Sequence, residues 1–168
     1  MRLPLCLLSF VWATQGSFAA EFVWVEPGRE PVPVAPDAPP RTREAARQLA
    51  DSVGKICGRT PSVVDSVPAT PPERAVWVGV QPLLRQLLPE ARRAFDHPEE
   101  TLILATEKHL VIAGRDRWDP RHMEQKGRLS LKTAVQQEYG TANAVYSFLR
   151  EPLGVRWLWP GEENDGLE

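Results

Sequence analysis

Hydrophobic residues recur along this chain at two spacings, which predict strands and helices in alternation. The clearest buried strand is the nearly continuous apolar run at 75–80, which has turn-forming residues outside it. Two further runs, 101–105 and 109–113, are joined by a short polar turn and predict a β-hairpin. Apolar residues three and four apart predict helices over 42–57 and 141–151.

Residues at element boundaries extend this assignment. Thr42 is suited to cap the first helix, and Gly58 is suited to end it. Weaker patterns predict short strands, one short helix and an extended proline-rich connector. The short strands are predicted at 22–25, 62–64 and 155–158, the short helix at 82–88, and the connector at 27–40.

The order of these elements predicts an α/β (α+β) fold, with a mixed β-sheet and two main helices packed on it. A long polar segment at 114–139 interrupts the order and is expected to be an insertion. The chain has 168 residues, which suits one domain and falls short of the ~250 that a complete (β/α)8 barrel needs. Its net charge of -2 provides no general attraction for nucleic acid or an anionic membrane.

The N-terminal residues have the pattern of a secretory signal peptide. Arg2 is followed by an apolar run at 3–13, and Ser17 and Ala19 are the small residues that a signal peptidase reads. The run is shorter than the ~20 residues of a membrane span. We therefore expect cleavage after Ala19 and a secreted or periplasmic protein, and a buried N-terminal strand is the alternative.

The two cysteines are separated by this cleavage. Cys6 would leave with the signal peptide, so that Cys57 would have no intramolecular partner. Cys57 lies near the apolar end of a predicted helix and is expected to be a buried apolar residue rather than a catalytic thiol.

The C-terminal third carries a resemblance to a known family. Residues 140–149 read Gly-Thr-Ala-Asn-Ala-Val-Tyr-Ser-Phe-Leu, and residues 153–160 read Leu-Gly-Val-Arg-Trp-Leu-Trp-Pro. These blocks resemble the end of the alpha-glucuronidase N-terminal domain, which precedes the catalytic barrel in family 67 glycoside hydrolases. The beta-hexosaminidases carry a similar domain, so the resemblance implies a beta-hexosaminidase domain-2-like fold. It covers roughly residues 22–161.

After the signal peptide at 1–19, the resemblance implies an alpha-glucuronidase N-terminal-like domain at 20–161 and an acidic tail at 162–168 that leads to a missing C-terminal domain. In the family the catalytic carboxylates lie on the barrel, so it transfers no catalytic residue to this chain and implies no cofactor. The expected function is a non-catalytic N-terminal domain of a secreted carbohydrate-active enzyme, with the barrel as its partner. The long insertion departs from the family, and a free-standing domain is the alternative.

Carboxylates within the chain are the other candidates for chemistry. Glycoside hydrolysis needs two carboxyl groups at a fixed separation, whereas the pairs at 99–100 and 162–163 lie in polar loops where both members are expected to be ionised. Four potential metal ligands lie close together in the insertion, and arginines between them compete for the carboxylates. A solvated charged loop is therefore expected rather than a metal-dependent hydrolase site. The four are Asp116, Asp119, His122 and Glu124.

Aromatic residues are the better candidates for contact with a sugar or with the barrel. Core packing is expected for Trp24, Trp77 and Trp157, whereas Trp118 lies in the polar insertion. Trp159 lies at the edge where the family continues into its barrel. An independent carbohydrate-binding module with Trp118 and Trp159 as a stacking platform is the alternative function. The candidate interdomain or sugar contacts are Trp118, Arg156, Trp157 and Trp159.

Overall fold

The computed structural model describes residues 9–10, 22–23, 30–65, 70–89, 95–119 and 137–157. The described strands and helices follow in chain order. They are β1 (Ser9–Phe10), β2 (Phe22–Val23), β3 (Val32–Pro33), α1 (Pro40–Cys57), β4 (Val63–Val64), β5 (Ala75–Val78), α2 (Pro82–Leu87), β6 (Thr101–Ala105), β7 (His109–Gly114), β8 (Asp116–Arg117), β9 (Glu138–Tyr139) and α3 (Gly140–Arg150).

The central sheet is mixed, as the sequence predicts. Strand β7 pairs in parallel with β5 and antiparallel with β6, which confirms the predicted hairpin. Strands β3 and β4 pair in parallel on either side of α1 and form a β-α-β unit. A parallel bridge between Val34 and Val78 places β3 alongside β5. The resulting order is β4-β3-β5-β7-β6, and within these five strands β6 alone is antiparallel to its neighbour.

Strand β3 corrects the expectation that 27–40 is only an extended connector. The backbone N–H groups of Val32 and Val34 donate to Ser62 and Val64 on the β4 side. Pro31 and Pro33 occupy the alternate positions, whose backbone nitrogens face β5. Because proline has no N–H, hydrogen bonds are lost only on the β5 side, and the pairing with β4 is unaffected. Proline is tolerated in β3 because this strand makes few backbone pairings with β5. They are the bridge between Val34 and Val78 and a hydrogen bond from the backbone N–H of Val76 to the carbonyl of Pro31.

Helices cover both faces of the sheet. Alternate residues of β5 and β7 (Val76 and Ile112, for example) face α1 and α3 in the larger core. The residues between these, among them Trp77 and Val111, face α2 in a smaller core. Trp77 is fully buried, as predicted, and its indole N–H donates to Nδ1 of His109 at 3.3 Å. The structure is therefore of the α+β class, with a sheet between two helical layers.

Helix α1 begins two residues before the predicted start. Pro40 is its first residue, a position where proline's fixed φ fits and its missing N–H is not needed. Thr42 is therefore inside the first turn, buried, and is not the N-cap. Gly58 ends the helix as predicted, with φ of 73° in the left-handed region. Cys57 is half-buried against the larger core.

The predicted final strand at 155–158 does not form over its described residues, 155–157. The backbone N–H groups of Leu153 and Val155 instead donate to the carbonyls of Phe148 and Leu149 at the end of α3. Gly154, with φ of 67°, allows the chain to turn back there. Because these residues close the helix end, they are not available for a sheet.

The N-terminal residues contribute one described pairing, between β1 and β2 in antiparallel register. Ser9 and Phe10 belong to the predicted signal peptide, whereas its expected cleavage site lies outside the described residues. Within the described part of the chain, no helix combines the length and the apolar character needed to cross a membrane.

Candidate functional site

A cavity of about 430 Å³ lies where β5 and β7 end and where α1 and α3 begin. Open α/β sheets generally bind ligands at this edge, outside the carboxyl ends of parallel strands. We name it the Asp116 cavity. Its lining residues are Ala35, Asp37, Ala38, Pro39, Thr42, Val78, Gly79, Val80, Phe95, Gly114, Arg115, Asp116, Trp118 and Thr141.

Two glycines bring the wall of this cavity together. A Cβ on Gly140 would lie 2.5 Å from the backbone nitrogen of Arg115, and a Cβ on Gly114 would lie 2.2 Å from the carbonyl carbon of Gly140. The end of β7 and the first residue of α3 are therefore in backbone contact that any side chain would prevent. This close approach is the structural role of the glycine that begins the Gly-Thr block.

Thr141, the second residue of that block, holds the contact in place. Its hydroxyl accepts from the backbone N–H of Gly114 at 3.0 Å and can donate to the carbonyl of Gly114 at 3.2 Å. One buried side chain thus satisfies both backbone groups at the end of a central strand.

The carboxylate of Asp116 joins the first turns of both long helices. Its Oδ1 accepts from the backbone N–H of Thr141 at 2.9 Å, and its Oδ2 accepts from the hydroxyl of Thr42 at 3.1 Å. Neither helix has a side-chain cap from its own N-cap residue, which is Pro39 for α1 and Tyr139 for α3. Asp116 therefore caps α3 from a neighbouring strand through the backbone N–H of Thr141, and it holds the first turn of α1 through the side chain of Thr42.

Burial raises the pKa of the Asp116 carboxyl above its ordinary value of 3.8. The hydrogen bonds from Thr141 and Thr42 favour the ionised form and offset this effect in part. Asp116 is half-buried, so the expectation of a fully solvated charged loop is wrong at this position.

Two aromatic rings complete the cavity. Trp118 and Phe95 are both half-buried and both line it. The nearby guanidinium of Arg115 is directed elsewhere: its Nε lies 2.9 Å from Oε2 of the buried Glu138, and its Nη1 donates to the carbonyl of Asp96. The cavity thus combines aromatic surface with the carboxylates of Asp116 and Asp37.

The paired carboxylates of the sequence have separate structural contacts. Glu100 accepts from the backbone N–H groups of Asp96 and His97 and closes the turn before β6. Glu99 is exposed and accepts from the side chain of Asn143 and the backbone N–H of Tyr139. The pair at 162–163 lies outside the described residues.

The proposed metal ligands are only partly described. Asp116 is in the cavity wall, and the backbone N–H of Asp119 donates to the side-chain oxygen of Gln137. His122 and Glu124 lie outside the described residues. Among the residues that the structure does describe, no group of three potential ligands comes together.

A second, more open depression lies across α1 and α3. The ring of Trp157 meets that of Tyr146 edge-on, with 5.9 Å between centroids. Trp157 is 53% exposed, so the expectation that it is a core residue is wrong; it lies on the helical layer instead of entering a sheet. We name this depression, of about 610 Å³, the Trp157 groove. Its lining residues are Gln48, Asn143, Tyr146, Ser147, Arg150 and Trp157.

The three predicted contact residues that the structure describes are therefore not all in one site. Trp118 lines the Asp116 cavity, Trp157 lines the groove, and Arg156 is exposed on the chain beside Trp157. Trp159 and the core candidate Trp24 lie outside the described residues.

Sequence reasoning missed the role of Thr42 and Thr141 as hydrogen-bond partners of Asp116. The Gly-Thr pair was a visible signal, but its partner lies 25 residues earlier in the chain. In comparisons with known proteins, no family model matches this chain, and no curated protein shows significant similarity to it.

Proposed function

We propose that this chain is the non-catalytic N-terminal domain of a secreted carbohydrate-active enzyme, with the fold of the alpha-glucuronidase N-terminal domain. In this proposal it packs on the catalytic domain that follows it in the same polypeptide. The parent enzyme would act in polysaccharide or glucuronide metabolism, as the resemblance of the Gly-Thr and Leu-Gly-Val-Arg-Trp blocks implies. The isolated chain should therefore not hydrolyse glycosides.

The exposed Trp157 is the observation that carries the proposal. A large aromatic ring held edge-on by Tyr146, with Gln48 and Arg150 at its margin, is typical of the centre of a protein–protein contact. Trp157 is close in sequence to Glu168, so a domain that follows in the same polypeptide would be joined near the groove along the chain.

The carboxylates give secondary support to a role without hydrolytic chemistry. Asp116 is committed to the ends of two helices, and Glu100 closes a turn. Glycoside hydrolysis requires two carboxyl groups that both face the sugar.

Chemical modification of tryptophan in two forms of the protein tests the packing. The 168-residue chain and the longer polypeptide from the same gene would be treated with N-bromosuccinimide and mapped by mass spectrometry. We expect Trp157 to react in the short chain and to be protected in the long one. Trp77 is the buried control, and Trp118 should react alike in both forms.

Two outcomes would overturn the proposal. One is a gene that encodes no further domain in frame after Glu168. The other is equal reactivity of Trp157 in both forms.

Secretion is tested separately by N-terminal sequencing of periplasmic or extracellular material. The mature protein should begin at Ala20 or within a few residues of it. Intact Met1 on soluble cytoplasmic protein would contradict this part of the proposal.

A further inference from the structure

We infer that the Asp116 cavity is a binding site for one uncharged pyranose unit of a carbohydrate. This site is distinct from the Trp157 groove, and the inference does not depend on the packing of a second domain.

The size of the cavity suits such a ligand. Its volume of about 430 Å³ falls within the roughly 300–1,000 Å³ of small-molecule sites. It also lies at the carboxyl ends of parallel strands, which position its polar groups on rigid elements.

The walls of the cavity match the two faces of a pyranose. Trp118 and Phe95 offer aromatic surface, on which the C–H face of a sugar ring can lie. Asp116 offers acceptors for hydroxyl groups. A carboxylate has about four acceptor positions, and the hydrogen bonds from the backbone and side chain of Thr141 and from Thr42 use up to three of them.

The electrostatic balance disfavours an anionic sugar and is compatible with an uncharged one. An anion would be repelled by Asp116 and by Asp37 at the same cavity. The first turns of α1 and α3 each carry about half a positive charge, which together offset roughly one of these two carboxylates and leave the other to repel an anion. Arg115 adds little net charge, because the buried Glu138 lies 2.9 Å from its guanidinium.

A matched pair of ligands tests this balance in the 168-residue chain. Methyl β-D-glucopyranoside and methyl β-D-glucuronide have the same ring and differ in charge at C6. Calorimetric titration should give a dissociation constant on the order of 1 mM for the neutral glycoside, as expected for a small polar ligand. The glucuronide should bind at least about fivefold more weakly because its carboxylate meets Asp116.

Two tryptophan variants locate the site. Trp118→Ala should weaken binding of the glucopyranoside about tenfold, because it removes the stacking surface. Trp157→Ala is the matched control, since it removes an aromatic ring from the other depression, and it should leave the affinity unchanged. Circular dichroism would verify that both variants are folded.

A measurement on the unaltered protein covers the case in which Trp118→Ala does not fold. The indole N–H resonance of Trp118, assigned with Trp118→Phe, should shift during titration with the glucopyranoside, while that of Trp157 should not. The inference is overturned if the neutral glycoside does not bind at tens of millimolar, if the glucuronide binds equally well, or if the Trp157 resonance shifts instead. Loss of binding in Trp118→Ala together with protected Trp157 in the longer polypeptide would support both proposals, and either can fail alone.

Discussion

Asp116 connects parts of the chain that are far apart in sequence. Its two carboxylate oxygens hold Thr42 in α1 and Thr141 in α3, although neither helix has a capping side chain of its own. A hydrogen bond to a charged group contributes roughly 1.5–3 kcal/mol, and the burial that raises the pKa of Asp116 opposes this contribution.

The pH dependence of stability should report the raised pKa of Asp116. Below pH 3.8 the carboxyl is protonated in the folded and unfolded chains alike. As the pH rises from 3.8 through the raised pKa, the unfolded chain ionises first, so unfolding becomes easier until the folded carboxyl has also ionised. The wild type should therefore lose stability relative to Asp116→Asn across that window and show a constant difference above it.

Urea denaturation of both proteins at a series of pH values measures this difference, and the other titrating groups cancel in the comparison. A difference that is flat with pH, or one in which the wild type gains as the pH rises, would contradict the assignment.

Gly140→Ala should be among the most damaging substitutions in the protein. Its Cβ would meet the backbone of Arg115 at 2.5 and 2.6 Å, where no flexible side chain can move away. Overpacking of this kind costs typically about 1–3 kcal/mol and more against backbone. Gly154→Ala is the control, because its φ of 67° adds strain of about 1–2 kcal/mol but nothing lies within 4 Å. Equal losses for the two variants in thermal or urea unfolding would show that the contact between β7 and α3 is not tight.

At the scale of elements, one ion pair ties the segment before β3 to the loops beside the hairpin. The Nε of Arg74 donates to the buried Glu30 at 2.8 Å, and its Nη1 donates to the carbonyl of Glu107. A second pair close by, Lys108 with Glu73, is largely exposed.

Removing the positively charged side chain should lower the free energy of unfolding by different amounts in these two pairs. Arg74→Ala leaves the carboxylate of Glu30 buried without its partner and should cost on the order of 3 kcal/mol. Lys108→Ala removes only a solvated pair and should cost less than about 1 kcal/mol. Chemical denaturation of both variants tests this, and a smaller loss for Arg74→Ala than for Lys108→Ala would rule out the structural role of the buried pair.

Elements with a strong local pattern could be predicted from the sequence. The buried run in β5, the hairpin of β6 and β7, and the periodicity of α1 and α3 are confirmed. The prediction of a final strand was wrong, because apolar periodicity cannot show that the backbone of residues 153–155 bonds to the end of α3. Strand β3 was missed because the prolines in it are tolerated only by its particular neighbours.

The candidate site shows the same limit. Trp118 was singled out by its place in a polar segment, and the cavity contains it. Asp116 was noticed only as a potential metal ligand, since its helix partners are brought to it by the fold. The burial of Trp157 was misjudged because it depended on the predicted strand.

At the scale of the whole molecule, the two depressions have different surroundings. The Asp116 cavity is built on strand ends and helix starts, with backbone contacts between Gly114 and Gly140. The Trp157 groove lies on the outer surface of the two helices. A substitution in one should therefore leave the other intact, which is what makes Trp118 and Trp157 useful as reciprocal controls.

The insertion should be removable without loss of the fold. Strands β8 and β9 pair at its two ends, and within it Asp119 N donates to the side chain of Gln137. Replacing 120–136 by a short glycine linker should leave the thermal transition within a few degrees of the wild type, because these bonds and the buried cores stay in place. A protein that fails to fold after this deletion would show that 120–136 contributes to the core.

The contact between Arg115 and Gly140 determines where residues can be inserted into this chain. The backbone N–H of Gly140 donates to the carbonyl of Arg115 at 2.9 Å, so the chain between these two residues leaves and returns at one point of the fold. Each doubling of a loop closed in this way costs only about 0.6 kcal/mol in entropy. An epitope or an entire folded module inserted between Asp119 and Gln137 should therefore be tolerated, because Asp116 and Glu138 keep their contacts on either side of the insertion point.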